Sequence, residues 1–500
     1  MNIKTIIRQY TILLMVFLLS SPVLFAQAGF NDDRIMLQGF YWDCYRFGHT
    51  DRYPMVTTNT QNIEKFWYQI LNEKVTDIKE AGFDLIWLPP PSKGSGMAGY
   101  GPTEYFSFDN MYGDDGLQTN LLVNLLNNGI EPIADIVINH RNGSVGWAGF
   151  RNPQWGTTTI CSSDEAFYMD GSDVQNLDMS QRGDEEERPV PYCPEPTTYQ
   201  YPVYRDLDHT KEIVRRDIVS YLARLKEMGY RGWRYDMVHG YHANKVAYYN
   251  QISQPTFSVG EYAWDKHDEA RGWVWLSAAN ENQLTTASSV FDFTTWRTLK
   301  ENKGNYDALY SYGLGIGLVG DNTDGQAWKN RAVTFLENHD TGWRCMEREE
   351  NGRVVLDQEG TDSFSNGWEV EQGYAYILTH PGVPCVYWKH YFDWGDDLTQ
   401  KLKGLINARK VTGVHAGSEL NTQNNARSNG VYAARIVGSK GIIYMRLGGD
   451  DNAWQPYYSG YSDYLEYVAG NGWKVWVHLF DERLNHMVQQ ASANQSLPLP

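Results

Sequence analysis

The sequence predicts a (β/α)8 TIM barrel that carries an inserted small domain after the third strand and a C-terminal antiparallel β domain. Three observations predict it. Amphipathic helix, glycine stop and short apolar strand recur in that order. Eight candidate strands spread over a length that suits eight βα units. Beyond about residue 414, helical periodicity gives way to alternating strands separated by Gly, Asn and Asp turns.

The elements follow in order. Residues 1–10 carry only Lys4 and Arg8 as charges, Thr11 to Phe25 is apolar or small, and Ala26-Gln27-Ala28 is a small-x-small cleavage pattern. Residues 1–26 therefore read as a secretory signal peptide. The apolar run falls short of the roughly 20 residues needed to span a bilayer, and no later stretch is apolar for that length. The expected destination is outside the cytoplasm, in the periplasm or the medium. No cysteine precedes Cys44, which argues against a lipid anchor.

The barrel's first part is placed at 27–140. Its first strand is expected within Arg34–Phe40. A helical face of Phe66, Ile70, Leu71, Val75 and Ile78 stops at Gly82, before the apolar run Phe83–Leu88. Leu121 to Asn127 is helical, ends near Gly129 and leads to Ile133–Ile138. Glycine ends such helices because it enters the left-handed conformation without steric cost. Residues 141–207 are rich in Gly, Pro, Ser, Thr and Asp and poor in helical periodicity. A structureless loop that long is uncommon, so an inserted domain is expected there.

The barrel resumes over 208–413. Ile213, Val214, Ile218, Leu222, Leu225 and Met228 mark a helix ending at Gly229, before Trp233-Arg234-Tyr235. Further strands are expected at Phe257–Gly260, Ser289–Phe293, Ala332–Leu336 and Val383–Tyr387, with a last helix over Leu398–Arg409. Val431–Ile436, Gly441–Leu447 and Trp473–Leu479 are the expected strands of a β domain over 414–482. Residues 483–500 form a polar tail.

Among the 500 residues, Lys+Arg number 43 and Asp+Glu 61, a net charge of −18, or −20 once Lys4 and Arg8 leave with the leader. That balance argues against nucleic acid and anionic membrane surfaces as partners and suits a neutral substrate. Five cysteines is an odd count. Export permits disulfides, and Cys161 with Cys193, flanking a loop-rich segment, is the best candidate pair. Cys44, Cys345 and Cys385 are expected to pack as small apolar residues.

Four segments end strands in barrel order: Asp135–His140, Gly232–Asp236, Val259–Glu261 and Phe335–Asp340. In a (β/α)8 barrel such positions converge on one mouth. Asp236 and Glu261 then stand on successive strand ends, where two carboxylates can flank one glycosidic bond. Arg234 lies two residues before Asp236 and faces the same side of its strand. A guanidinium there favours the ionised carboxylate that a nucleophile needs. A general acid must instead keep its proton near neutral pH, which burial and nearby anions achieve.

With these motifs the chain resembles an α-amylase of the large retaining glycosidase family thirteen, and most closely its plant-type branch. Asp206-Leu207-Asp208 resembles the family's fifth motif. Val290–Thr295, His380–Cys385 and Tyr391–Gly395 resemble that branch as well, and the resemblance runs over roughly residues 34–480. It implies Asp236 as nucleophile, Glu261 as acid/base and Asp340 as the third carboxylate, which binds sugar hydroxyls and helps distort the ring. It implies that His140 and His339 hydrogen-bond the sugar beside the cleaved bond, that Tyr100 stacks beneath it, and that Arg234 and His239 belong to the substrate site. It implies a Ca2+ ion held by Asn139, Asp206 and the carbonyl of Gly240, all oxygen donors suited to a hard cation.

The expected activity is endo-hydrolysis of internal α-1,4 bonds in starch, amylose and malto-oligosaccharides with retained configuration, by a monomer. An α-glucan transferase of the same fold and a non-catalytic starch-binding relative are the alternatives. Three positions depart from the family: His239 stands where lysine is usual, Gly101 where aspartate is usual, and Glu337 for a common aspartate.

Overall fold

The computed structural model describes residues 30–44, 65–95, 97–143, 149–161, 164, 204–263, 266–279, 284–313, 315–350, 353–359, 362–450, 452–456 and 464–485. Eight parallel strands close one barrel: β1 (Met36–Gln38), β2 (Leu85–Leu88), β3 (Glu131–Ile136), β4 (Gly232–Tyr235), β5 (Phe257–Gly260), β6 (Ser289–Phe291), β7 (Ala332–Phe335) and β8 (Val383–Tyr387). They pair in chain order, and β1 bonds to both β2 and β8, so the sheet has no open edge. All eight expected strands are present. The third stops earlier than its apolar run, because its ladder with β4 ends at the pair Ile136–Tyr235. Strands β2, β4, β5, β7 and β8 are buried throughout, which explains continuous apolar runs in place of alternation.

The helix Trp67–Glu80 buries Ile70, Leu71, Val75 and Ile78 as expected. Phe66 precedes its first turn and is exposed. The helix Glu212–Met228 buries Val214, Ile218, Leu222, Leu225 and Met228. Ile213 is exposed, since one residue of rotation, about 100°, carries it off the apolar stripe. Among the described residues no helix is long and apolar enough to cross a membrane.

The excursion between β3 and β4 is zipped where it leaves and returns. A short antiparallel ladder sets His140 opposite Asp206 and Arg141 opposite Arg205. Arg141 is fully buried, its guanidinium 4.6, 4.9 and 4.7 Å from the rings of Tyr105, Phe150 and Trp155. It also donates to the carbonyls of Pro153, Thr103 and Arg151. Aromatic faces and carbonyls together offset the cost of burying that charge. Cys193 lies outside the described residues, and so does the expected Cys161–Cys193 pairing. Cys44 and Cys385 are buried as expected, while the side chain of Cys345 is outside the description.

A second excursion, not foreseen from sequence, follows β7 as the antiparallel hairpin Arg344–Glu350 with Arg353–Glu359. Its run of charged residues lacks the apolar alternation that marks a strand.

The C-terminal sheet has five antiparallel strands in the spatial order Glu419–Thr422, Tyr432–Val437, Gly441–Leu447, Trp473–Leu479 and Leu465–Gly470. Three were expected; the first, Glu-Leu-Asn-Thr, is largely polar, and the last, Leu-Glu-Tyr-Val-Ala-Gly, is mostly apolar but lacks the alternation that marks a strand. The sheet shares one core with the barrel, in which Leu402 and Leu405 of the last barrel helix join Tyr432, Ile443 and Val475. Contact is close: a Cβ on Gly404 would lie 2.8 Å from Val468. Glu371 bonds across the junction to the Trp473 indole (2.9 Å) and the Asn471 N–H (3.0 Å), and holds Lys401 at 2.8 Å.

Candidate active site

Asp135 lies within β3, Asp236 directly after β4, Glu261 directly after β5, and Asp340 shortly after β7. Arg234 on β4 is paired in register with Asp135 on β3 and Val259 on β5. Its guanidinium therefore sits between the two strands that flank it. Arg234 Nη1 is 2.6 Å from Asp236 Oδ1 and 2.9 Å from Asp135 Oδ1, and Nη2 is 2.8 Å from Glu261 Oε1. Arg234 is fully buried, and its guanidinium lies 4.8 Å from the Trp87 ring. One cation thus gathers three buried carboxylates.

Burial pushes both Asp236 and Glu261 up from the ordinary carboxylate range, and Arg234 opposes that rise in each. Asp340 adds to the rise of both; Asp135 adds to that of Asp236, and Asp236 to that of Glu261. The 2.6 Å hydrogen bond from Arg234 favours the anion on Asp236. Asp236 accordingly ionises first, and Glu261 keeps its proton to higher pH. Met237 has φ +44° and turns its N–H toward Glu261 Oε2 at 3.3 Å. A left-handed conformation is uncommon for a residue with a long side chain, and here it aims a donor at the second carboxyl group.

Tyr100, His339 and His140 adjoin this cluster. Tyr100 donates its hydroxyl to Asp135 Oδ2 at 2.7 Å, and the Trp87 indole donates to the same oxygen at 3.0 Å. The Tyr100 ring lies parallel to His339, 5.1 Å between centres and 2° between planes. Trp42 lies parallel to both within 5°. His339 is held by Gln38 Nε2 at Nδ1 (3.0 Å) and faces Asp340 Oδ2 from Nε2 (3.1 Å). His140 donates from Nε2 to the Tyr100 carbonyl at 2.8 Å, and its Nδ1 is 3.3 Å from Asn139 Nδ2. Burial pushes its pKa down to about 4, so the ring is neutral at neutral pH.

Tyr204, on the returning limb of the excursion, stacks on His140 at 4.9 Å and 9°. A Cβ on residue 101 would lie 2.5 Å from the Tyr204 ring. Gly101 is therefore the residue that admits Tyr204. His239 lies edge-on to Tyr262, with the ring centres 6.1 Å apart. Burial, with Lys266 nearby, pushes it down to about 4, and its Nδ1 is buried without a hydrogen-bond partner among the described residues.

Asn139, Asp206 and Gly240 do converge. Asn139 Nδ2 is 3.2 Å from Asp206 Oδ1, and the Asn139 amide fills the space that a Cβ on residue 240 would need. The Asp206 N–H donates to the buried Asp164 carboxylate at 2.7 Å. Among the described residues no group of three or more His, Cys, Asp and Glu side chains could hold a metal. By type, an amide, a carboxylate and a backbone carbonyl are donors that suit calcium rather than a softer ion.

A closed parallel barrel with charged residues converging at the carboxyl ends of its strands defines a barrel enzyme. Residues 68–388 match the family described as "Alpha amylase, catalytic domain", and residues 411–477 match "Alpha-amylase C-terminal beta-sheet domain". The chain belongs to the α-amylase family and is a glycoside hydrolase. It is 32% identical to "Probable alpha-amylase 2" of Arabidopsis thaliana, over 88% of this chain and 93% of that protein. It is 28% identical to "Glucan 1,4-alpha-maltotetraohydrolase" of Stutzerimonas stutzeri, over 88% and 73%. The plant relative agrees with the plant-type resemblance. Among solved structures, the α-amylase of Geobacillus thermoleovorans complexed with acarbose is similar in fold, with a TM-score of 0.59 at 15% identity, covering 90% of this chain and 99% of that one.

Several contributors were not singled out from sequence. Asp135 carries no expected role of its own in the sequence, although a carboxylate inside an apolar strand signals a buried cation. Trp87, Gln38 and Trp42 belong to strands and strand ends that read as core. Tyr204 gave no signal, because its partner Gly101 is distant in sequence.

Proposed function

We propose that this protein is an endo-acting α-amylase that hydrolyses internal α-1,4-glucosidic bonds of starch, amylose and malto-oligosaccharides with retention. The observation that carries the reading is the Arg234 bridge between Asp236 and Glu261. The bridge and its 2.6 Å hydrogen bond support an ionised Asp236, while burial and the neighbouring Asp236 and Asp340 carboxylates keep the proton on Glu261. In the first displacement Asp236 attacks the anomeric carbon, and Glu261 gives its proton to the departing glycosidic oxygen. In the second, Glu261 takes a proton from water as that water attacks the same carbon and frees Asp236. Asp340, with His339, binds hydroxyls of the reacting sugar, and Tyr100 offers its face beneath it. Arg234 stabilises the nucleophile. His140 walls the same pocket, with its ring nitrogens held by Tyr100 and Asn139. His239, neutral and with an Nδ1 that has no hydrogen-bond partner among the described residues, meets the leaving portion of the chain.

Asn139, Asp206 and the Gly240 carbonyl would hold Ca2+. When bound, the ion would supply a positive charge that clamps the excursion onto the strand ends. The chain is read as a secreted monomer with a signal peptide over 1–26, an inserted domain over 141–207 and a β domain over 414–482. The test is Glu261→Gln, assayed on amylose with product chromatography and NMR of the first-formed anomer. Near-normal hydrolysis by Glu261→Gln would refute the acid/base role. A β first product would refute retention, and cyclic or disproportionated products from the unaltered enzyme would make it a transferase.

A further inference from the structure

Glu337, two residues beyond the last residue of β7, is a buried carboxyl that the proposed chemistry does not use. Its Oε1 lies 2.5 Å from Thr341 Oγ1, and its Oε2 accepts the N–H groups of Ser363 (2.7 Å) and Phe364 (3.4 Å). Thr341 Oγ1 in turn accepts the Asn338 N–H at 3.0 Å. Asn338 Oδ1 accepts the N–H groups of Asp340 (2.8 Å) and Thr341 (2.9 Å). The Ser363 hydroxyl donates back to the Thr341 carbonyl at 3.0 Å, and the Trp343 N–H to Asp362 at 2.8 Å. These bonds tie both ends of the hairpin excursion to the turn that bears His339 and Asp340.

We propose that Glu337 is a positioning residue for Asp340: through Thr341 and Asn338 it fixes the turn that presents Asp340, and through Ser363 and Phe364 it keys that turn to the base of the hairpin. The proposal rests on the role given to Asp340 above. Glutamate has one methylene more than the aspartate common at this position, and that length carries its carboxyl to the Ser363 N–H. Burial, reinforced by Asp362, pushes Glu337 up to about 8. The neutral form therefore fits the site. A glutamine there keeps an acceptor for Ser363 and Phe364 and offers its Nε2–H to Thr341.

The experiment measures kcat, KM and Tm on an aryl malto-oligoside for Glu337→Gln, Glu337→Asp and Glu337→Ala, each with Asp340 intact and with Asp340→Asn. Glu337→Gln is expected within about twofold of the parent kcat, whereas Glu337→Ala and Glu337→Asp lower kcat about 10- to 100-fold with little change in KM, as a misplaced reacting group does. With Asp340→Asn the same substitutions should lower kcat by less than about twofold, because the residue they act through is gone. An equal loss in both backgrounds would overturn the proposal and leave Asp340's role standing. An unchanged kcat in Asp340→Asn alone would overturn both. If Glu337→Ala does not fold, Glu337→Asp carries the comparison.

Discussion

Asp135 and Asp236 share a single nitrogen, Arg234 Nη1, at 2.9 and 2.6 Å. Asp135 is fully buried and spends its other oxygen on Tyr100 and Trp87. It therefore sets where the arginine stands and competes for its charge. Asp135→Asn would keep the volume but leave Trp87 or Tyr100 facing an amide donor. Because Arg234 retains two other carboxylates, the stability loss should be about 1–3 kcal/mol, the cost of an unsatisfied buried group, read as a lower Tm. Asp135 also raises the pKa of Asp236, so the acid limb of activity should move to lower pH. An acid limb unchanged in Asp135→Asn would refute the coupling.

The pH profile should be bell-shaped. Activity needs Asp236 ionised and Glu261 protonated, so it rises as pH passes the first ionisation and falls as pH passes the second. Both pKa values are raised by burial, which places both limbs above the free carboxyl range of about 4. Asp340 adds to both shifts, and Asp340→Asn should carry both limbs toward lower pH. The measurement is kcat/KM against pH on a soluble oligosaccharide. A limb that moves upward in Asp340→Asn contradicts the reading.

Gly101 and Tyr204 should prove interdependent. Restoring the usual aspartate as Gly101→Asp puts a side chain where the Tyr204 ring lies, and overpacking of this kind costs about 1–3 kcal/mol. KM should rise as well, since Tyr204 stacks on His140. Adding Tyr204→Ala should recover part of the lost Tm. Simple additivity of the two Tm losses would exclude the interdependence.

Calcium has its own readout. Chelation should lower Tm in the unaltered protein, and Asp206→Ala should abolish most of that sensitivity, because ligand binding to the folded state adds stability by mass action. Differential scanning calorimetry with and without chelator decides it. Equal melts in all four conditions would remove the ion from this reading.

The barrel was legible because its determinants are local. Apolar runs such as Phe257–Gly260 and glycines such as Gly229, with φ +126°, are written within a few residues of the elements they shape. Arg234 and Asp236 were legible too, since two residues along a strand share a face. The hairpin Arg344–Glu359 was not legible: its strands are charged, and its base is held by Glu337 and Asp362 from outside it. Nor was the Tyr204–His140 stack, which depends on a ladder only two residues long. Such contacts depend on three-dimensional closure, which no window of sequence contains.

The junction at Glu371 limits how this protein can be recombined. Removing the C-terminal sheet would strip that carboxylate of the Trp473 and Asn471 donors and bare the apolar face along Leu402 and Leu405. A barrel grafted onto a foreign sheet would inherit the same deficit, unless the graft brings an indole at residue 473 and a residue that accommodates Gly404. The two parts are thus exchangeable only as a matched pair, and shuffling libraries should place their crossovers elsewhere.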